Sequence, residues 1–124
     1  MTATTSISNS TMKIRQVGTS LVLTIPHWAR GLVTAGDKLY LIKMKSERGA
    51  YKLIVTNNKD EMLGLVRAGG ELIDVERVHL QRDKYPFFVV TKVLPALGWE
   101  KGDRIQVHKD GRMLVYENIS KINP

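Results

Sequence analysis

The chain has 124 residues, no cysteine and a net charge of +7, from 19 Lys+Arg against 12 Asp+Glu. That length suits one compact domain, or two half-domains that fold together; the missing cysteine excludes disulfides and thiolate metal sites, and no apolar run approaches the roughly 18–20 residues needed to span a bilayer. The positive excess favours polyanionic partners, because neutralised phosphates release condensed counterions, with a basic but inert surface as the alternative.

In chain order, residues 1–11 have no basic leader and no apolar centre, so they read as a flexible N-terminal arm, and the chain as soluble and cytoplasmic. Residues 12–55 carry 8 basic and 2 acidic side chains, a net +6. They open with an extended stretch, Lys13-Ile14-Arg15-Gln16. A tight turn follows over Val17-Gly18-Thr19-Ser20, where Gly supplies a positive φ. The next run, residues 20–26, is apolar and β-branched, and Pro26 suits the first position of a short helix over residues 27–33. Gly36-Asp37 then leads into paired strands around residues 39–42 and 53–54, with the longer turn Ser46-Glu47-Arg48-Gly49 between them. Leu39, Leu41 and Leu53 fall on one face, and Tyr40, Ile42 and Ile54 on the other, so these strands need cover on both sides.

Residues 56–76 carry 2 basic and 5 acidic side chains, a net −3. They read as an acidic linker, with weak helical periodicity over residues 59–67 and a linker turn at Ala68-Gly69-Gly70. Residues 77–117 return to 8 basic and 5 acidic, a net +3. Here the earlier pattern recurs. Arg77-Val78-His79-Leu80 lines up with Lys13-Ile14-Arg15-Gln16, and Gln81-Arg82-Asp83-Lys84 with the first turn. Residues 84–90 form the second apolar run, in which Pro86 implies an edge strand or a bulge. Thr91 is the expected N-cap of a helix over residues 92–97, and Gly98 its end. Gly102-Asp103-Arg104-Ile105-Gln106-Val107 matches Gly36-Asp37-Lys38-Leu39-Tyr40-Leu41, and Asp110-Gly111 is a two-residue hairpin turn. Residues 118–124 form a tail. One unit of strand, strand, short helix, Gly-Asp turn, strand and strand therefore occurs twice. A unit of about 40 residues is too small to bury a core unaided, and two units interleaving their hairpins would cover each other.

The run Arg15-Gln16-Val17-Gly18-Thr19-Ser20-Leu21-Val22-Leu23-Thr24-Ile25-Pro26, followed by Gly36-Asp37, resembles the AbrB/SpoVT/MazE swapped-hairpin DNA-binding family. Residues 77–117 resemble it more loosely, through Ala96-Leu97-Gly98-Trp99-Glu100-Lys101-Gly102-Asp103. The departures are a first helix about two residues shorter than the family pattern, and a second unit without the Ile-Pro and without the turn glycine. The resemblance implies a mostly β fold with short helices, a swapped-hairpin β-barrel built from two tandem β-β-α-β-β units. It implies a prokaryotic, nucleoid-associated transcription regulator that contacts duplex DNA through a basic face of paired hairpins. Carried onto this chain, the contacts would be Lys13, Arg15, Thr19 and Ser20 from the first unit, and His79, Arg82 and Lys84 from the second. Arg30 lies beside the first helix start, where it would flank that face. Arg offers bidentate contacts to guanine or phosphate, Lys a point charge, and hydroxyls a phosphate ligand. The bland alternative is that these are solvated strand faces.

Two other functions stay open: an antitoxin-like module that binds a toxin partner and autoregulates its promoter, and a nonspecific chromatin- or RNA-binding protein. The units could pair within one chain as a pseudo-dimer, or between chains as a homo-oligomer. The three histidines, His27, His79 and His108, show no metal-ligand spacing. No nucleophile-base set, paired carboxylates or phosphate-binding glycine loop is apparent. The expectation is a protein that is not an enzyme, with no cofactor, no metal and no membrane partner. Trp28 and Trp99 are read as core or lid residues rather than stacking platforms, His27 as a surface or capping residue, and Lys43, Lys45 and Arg48 as cations that guard an exposed strand edge.

Overall fold

The structure, a computed structural model, describes residues 9–46 and 50–121. The two stretches expected as single strands at residues 13–16 and 77–80 start further upstream, and each bends in the middle. The first is β1 (Asn9–Lys13) and β2 (Arg15–Val17), joined at Ile14. The second is β6 (Glu71–Arg77) and β7 (His79–Gln81), joined at Val78. Ile14 and Val78 are both buried, and at each the chain passes from one sheet into another. Asn9, Ser10 and Thr11, expected in the N-terminal arm, therefore belong to a strand; the rest of that arm lies outside the described residues. Within residues 56–76, helix α1 (Lys59–Arg67) is followed by β6, a strand that the sequence reading did not anticipate. Asn58 Oδ1 caps α1 by accepting from Glu61 N at 2.9 Å, and the acidic first turn and Arg67 in the last turn suit the helix dipole.

The remaining strands are β3 (Ser20–Thr24), β4 (Lys38–Lys45), β5 (Tyr51–Thr56), β8 (Tyr85–Val89), β9 (Arg104–Asp110) and β10 (Met113–Asn118). The chain is mostly β, with few and short helical segments. All strand pairs are antiparallel, in a six-stranded sheet ordered β1-β9-β10-β5-β4-β6 and a four-stranded sheet ordered β2-β3-β8-β7. The expected closed barrel does not form among the described residues. The bends at Ile14 and Val78 divert the chain into a second sheet, leaving β1, β6, β2 and β7 as open edges. Both strand orders read the same when β1–β5 are exchanged with β6–β10.

The same exchange holds for the hydrogen bonds at the bends. Gly102 N donates to Ile14 O at 2.9 Å and Ile14 N to Asp103 O at 3.1 Å; Gly36 N donates to Val78 O and Val78 N to Asp37 O, both at 2.9 Å. Each Gly-Asp turn is thus stitched to the strand bend of the other half of the chain. Asp37 accepts from Thr34 N at 2.9 Å and Asn57 Nδ2 at 3.0 Å, and Asp103 accepts from Glu100 N at 2.9 Å and Asn118 Nδ2 at 2.7 Å. Burial raises the Asp37 pKa, but the hydrogen bonds from Thr34 and Asn57 outweigh it and hold the carboxyl below its ordinary value.

The main core lies between the sheets, where Leu39, Leu41, Leu53, Val55, Leu114 and Tyr116 meet Leu23 and Phe88. The Tyr116 and Phe88 rings pack edge to face at 5.5 Å, and Tyr116 Oη donates to Thr24 O at 3.1 Å. On the outer side of the six-stranded sheet, Ile42, Ile54 and Val115 pack with Met62 of α1, and Tyr40 and Leu65 close the cluster. The two faces expected to need cover are thus covered differently, one by the opposite sheet and one by α1. Each fully buried aliphatic side chain contributes about 1.5–3 kcal/mol relative to exposure.

Local expectations shift where packing intervenes. The first helix is a single 3-10 turn, His27–Ala29, with Pro26 just ahead of it. The second, α2 (Leu94–Leu97), follows Val93 without a side-chain cap. Thr91 is not that cap: its Oγ1 accepts from Leu21 N at 2.8 Å instead, tying the chain to β3. Gly98, at φ 74°, ends α2 as expected. The last hairpin turns on Gly111 and Arg112, one residue later than expected, because Asp110 still pairs with Met113. Pro86 lies in an interior strand rather than an edge. Its neighbour across from it is Ile25, just past the end of β3, so the missing N–H costs only a terminal ladder bond. Among the described residues, no helix is long and apolar enough to cross a membrane.

Candidate functional site

Strand registers place the candidate residues. Arg15 pairs with Val22, Val22 with Val89, Thr24 with Phe87, Phe87 with His79 and Tyr85 with Gln81. Because side chains alternate along a strand, one face of the four-stranded sheet carries Arg15, Ser20, Thr24, Phe87, His79 and Gln81. The opposite face sends Leu23 and Phe88 into the core. The face that carries Arg15 looks outward.

Arg15 spans this face. From β2 at one edge, its Nε donates to Thr24 Oγ1 on β3 at 3.4 Å, and its Nη1 to Gln81 Oε1 on β7, the far edge, at 2.9 Å. The guanidinium carbon lies 5.9 Å from the Phe87 ring centre, and the His79 ring lies 5.6 Å from the same ring, tilted by 32°. A guanidinium has five N–H donors, and these bonds leave three for a ligand. Val22 is fully buried and Phe87 only 9 % exposed although both lie on the outer side; Arg15 and His79 cover them. Beside this cover a shallow concavity of about 360 Å³ is lined by Val17, Ser20, His79, Leu80, Phe87 and Val89.

The two hairpin tips flank the face. Gly18 turns the β2–β3 tip at φ 61°, the conformation that glycine adopts without strain, and leaves Thr19 exposed beside it. The β7–β8 tip has no glycine: Arg82 and Asp83 adopt φ 56° and 57° instead. Lys84 N closes this turn on Gln81 O at 3.1 Å. Arg30, from just after the 3-10 turn, donates from Nη2 to Lys84 O at 3.3 Å. Arg30, Arg82 and Lys84 therefore gather at one tip, although more than fifty residues separate Arg30 from the other two. Beside the opposite tip, Lys101 Nζ donates to Gln16 Oε1 at 2.7 Å.

Arg15, Thr19, Ser20, His79, Arg82, Lys84 and Arg30 are thus brought onto one sheet and its flanks. Lys13 is not: it ends β1, in the other sheet, directly opposite Arg104 of β9. Arg77 of β6 faces Lys38 of β4 in the same way, and donates from Nη1 to Gly36 O at 3.0 Å. Like charges directly opposite across a ladder destabilise it, and among the described residues neither pair is joined by a carboxylate within ion-pair distance. Sequence reasoning missed Arg104, Lys38, Arg77, Lys101 and Gln81. The repeat alignment, which sets Arg77 in the place of Lys13, was a usable signal for Arg77; nothing local marks Gln81 or Lys101. Among the described residues no group of His, Asp and Glu is arranged to hold a metal ion. No protein-family model, curated protein or solved structure matches the chain.

Proposed function

We propose that this chain is an AbrB-like transcription regulator, two tandem swapped-hairpin units paired within one chain, that binds duplex DNA through the outer face of its four-stranded sheet. The observation that carries this reading is that both halves of the chain supply this face: Arg15 and His79 lie on it, Thr19 and Ser20 flank it at one hairpin tip, and Arg30, Arg82 and Lys84 gather at the other. In this reading the hairpin-tip cations hold phosphates and fix register. Arg15, with donors free beyond Gln81 and Thr24, reads a groove edge or its shape. The alignment of the halves sets His79 where Arg15 stands, so the two halves would meet DNA with different side chains, and the preferred site is an imperfect inverted repeat.

The test is selection of bound sequences from a random duplex library at two salt concentrations, with Arg15→Ala alongside. The expected outcome is an enriched, degenerate inverted repeat whose binding weakens with salt. Arg15→Ala should bind roughly tenfold or more weakly and lose sequence preference in one half-site. Salt-sensitive binding without enrichment would point to the nonspecific chromatin-like alternative. No binding at either salt would remove nucleic acid, and promoter autoregulation with it, and would favour a protein-binding module alone.

A further inference from the structure

Helix α1 presents a second surface, on the side of the molecule away from the four-stranded sheet. Met62 and Leu65 point into the sheet. Asp60, Leu63, Gly64 and Arg67 are all exposed and recur at the i, i+3, i+4, i+7 spacing of one helix face. Leu63 is 37 % exposed, at the centre of the nine-residue helix. Gly64 is beside it. A glycine inside a helix is destabilising relative to alanine, yet a Cβ built on Gly64 would meet nothing within 4 Å. The fold of one chain does not require glycine there. Among the described residues, Asp60 and Arg67 make no ion pair or side-chain hydrogen bond. The exposed aliphatics Val66 on α1, and Leu72 and Val75 on the neighbouring β6, add apolar area nearby.

We infer that a second copy of this chain docks on this face, through an antiparallel α1–α1 contact about a two-fold axis. The face is complementary to itself. Run antiparallel and centred at Leu63 and Gly64, the two helices place Asp60 of each chain beside Arg67 of the other. Leu63 of each chain sits over the other's Gly64, which leaves the space that the leucine fills. This is the reciprocal contact a two-fold interface requires, and it gives Gly64 a role that the single chain does not. One short helix and the flank of one strand form a small interface, so the association is weak and concentration-dependent. The contact stands independently of the proposed DNA binding. Where both hold, the dimer carries its two DNA faces on opposite sides and can hold two duplex segments at once.

Sedimentation equilibrium on the full chain without DNA tests the docking separately from DNA binding. The native chain should show a monomer–dimer equilibrium. Asp60→Arg and Arg67→Asp should each weaken it by about tenfold or more, since two attractive pairs become repulsive. The double variant, which exchanges the charges, should dimerise like the native chain. An equimolar mixture of the two single variants, each of one sign on this face, should form mixed dimers that neither forms alone. Gly64→Gln should raise the unfolding temperature of the monomer while weakening the dimer. A native chain that stays monomeric to millimolar concentration, or single charge variants that dimerise undiminished, would overturn the inference and leave this face to a different partner or to solvent.

Discussion

Arg82 and Asp83 form a hairpin tip at the expense of backbone strain. Both take the left-handed conformation, which costs a side-chain-bearing residue roughly 1–2 kcal/mol. Arg82→Gly should therefore stabilise the chain by about 1 kcal/mol in urea unfolding. If the proposed DNA binding holds, the same change should weaken it and lower the salt slope by about 0.9, the share of one phosphate contact. Loss of stability would mean that the arginine packs in a way its exposure does not suggest. Glu76 sits on β6 beside Asp74. Burial first, then the hydrogen bond and charge of Asp74, raise its pKa from 4.5 to about 7, with Lys92 opposing. Between those values the folded chain holds a proton that the unfolded chain has released. This contribution to stability is whole below pH 4.5 and is lost as pH rises through about 7. Glu76→Gln should raise the urea midpoint at about pH 8 and leave it nearly unchanged at about pH 4. An equal gain at both values would mean that packing, not ionisation, is responsible.

At the scale of elements, the Gly-Asp turns are the joints. Asp103 accepts from Glu100 N and Asn118 Nδ2, and Asn118 is only 3 % exposed. Removing the carboxylate strands a buried amide, so Asp103→Ala should cost about 2–3 kcal/mol. Asp37→Ala should cost less, because its partner Asn57 is exposed and water can replace the lost bond. Equal losses in denaturant unfolding would show that the side-chain bonds do not set the difference. The turns themselves were legible in the repeated Gly-Asp. The bends at Ile14 and Val78 were not. Each looks like one more apolar residue in a strand, and only its burial between the sheets makes it a corner. The same limit hid β6: Ile73 and Val75 alternate with Asp74 and Glu76 too briefly to stand out in an acidic stretch, and pairing with β4 makes it a strand.

At the scale of the molecule, each half supplies the edge strand of the other's hairpin, β1 on β9 and β6 on β4. Neither half can then unfold without exposing the core of the other. Calorimetry should give one transition with equal calorimetric and van't Hoff enthalpies; two separated transitions would contradict the interlocking. What the sequence by itself determined is the content of each half: the turn glycines, the apolar runs, the repeated Gly-Asp and the basic flanks around an acidic middle. These follow from local rules, namely the permitted φ of glycine, the period of two in a strand, and charge. Only the tertiary structure decided which strand lies beside which. It joined Arg15 to Gln81, 66 residues away, gathered Arg30 with Arg82 and Lys84, sent Lys13 to the other sheet, and turned the acidic linker into the cover of an exposed sheet face. The physical reason is that pairing between distant strands is settled by burying apolar faces on both sides at once, and no short stretch of residues contains its own partner.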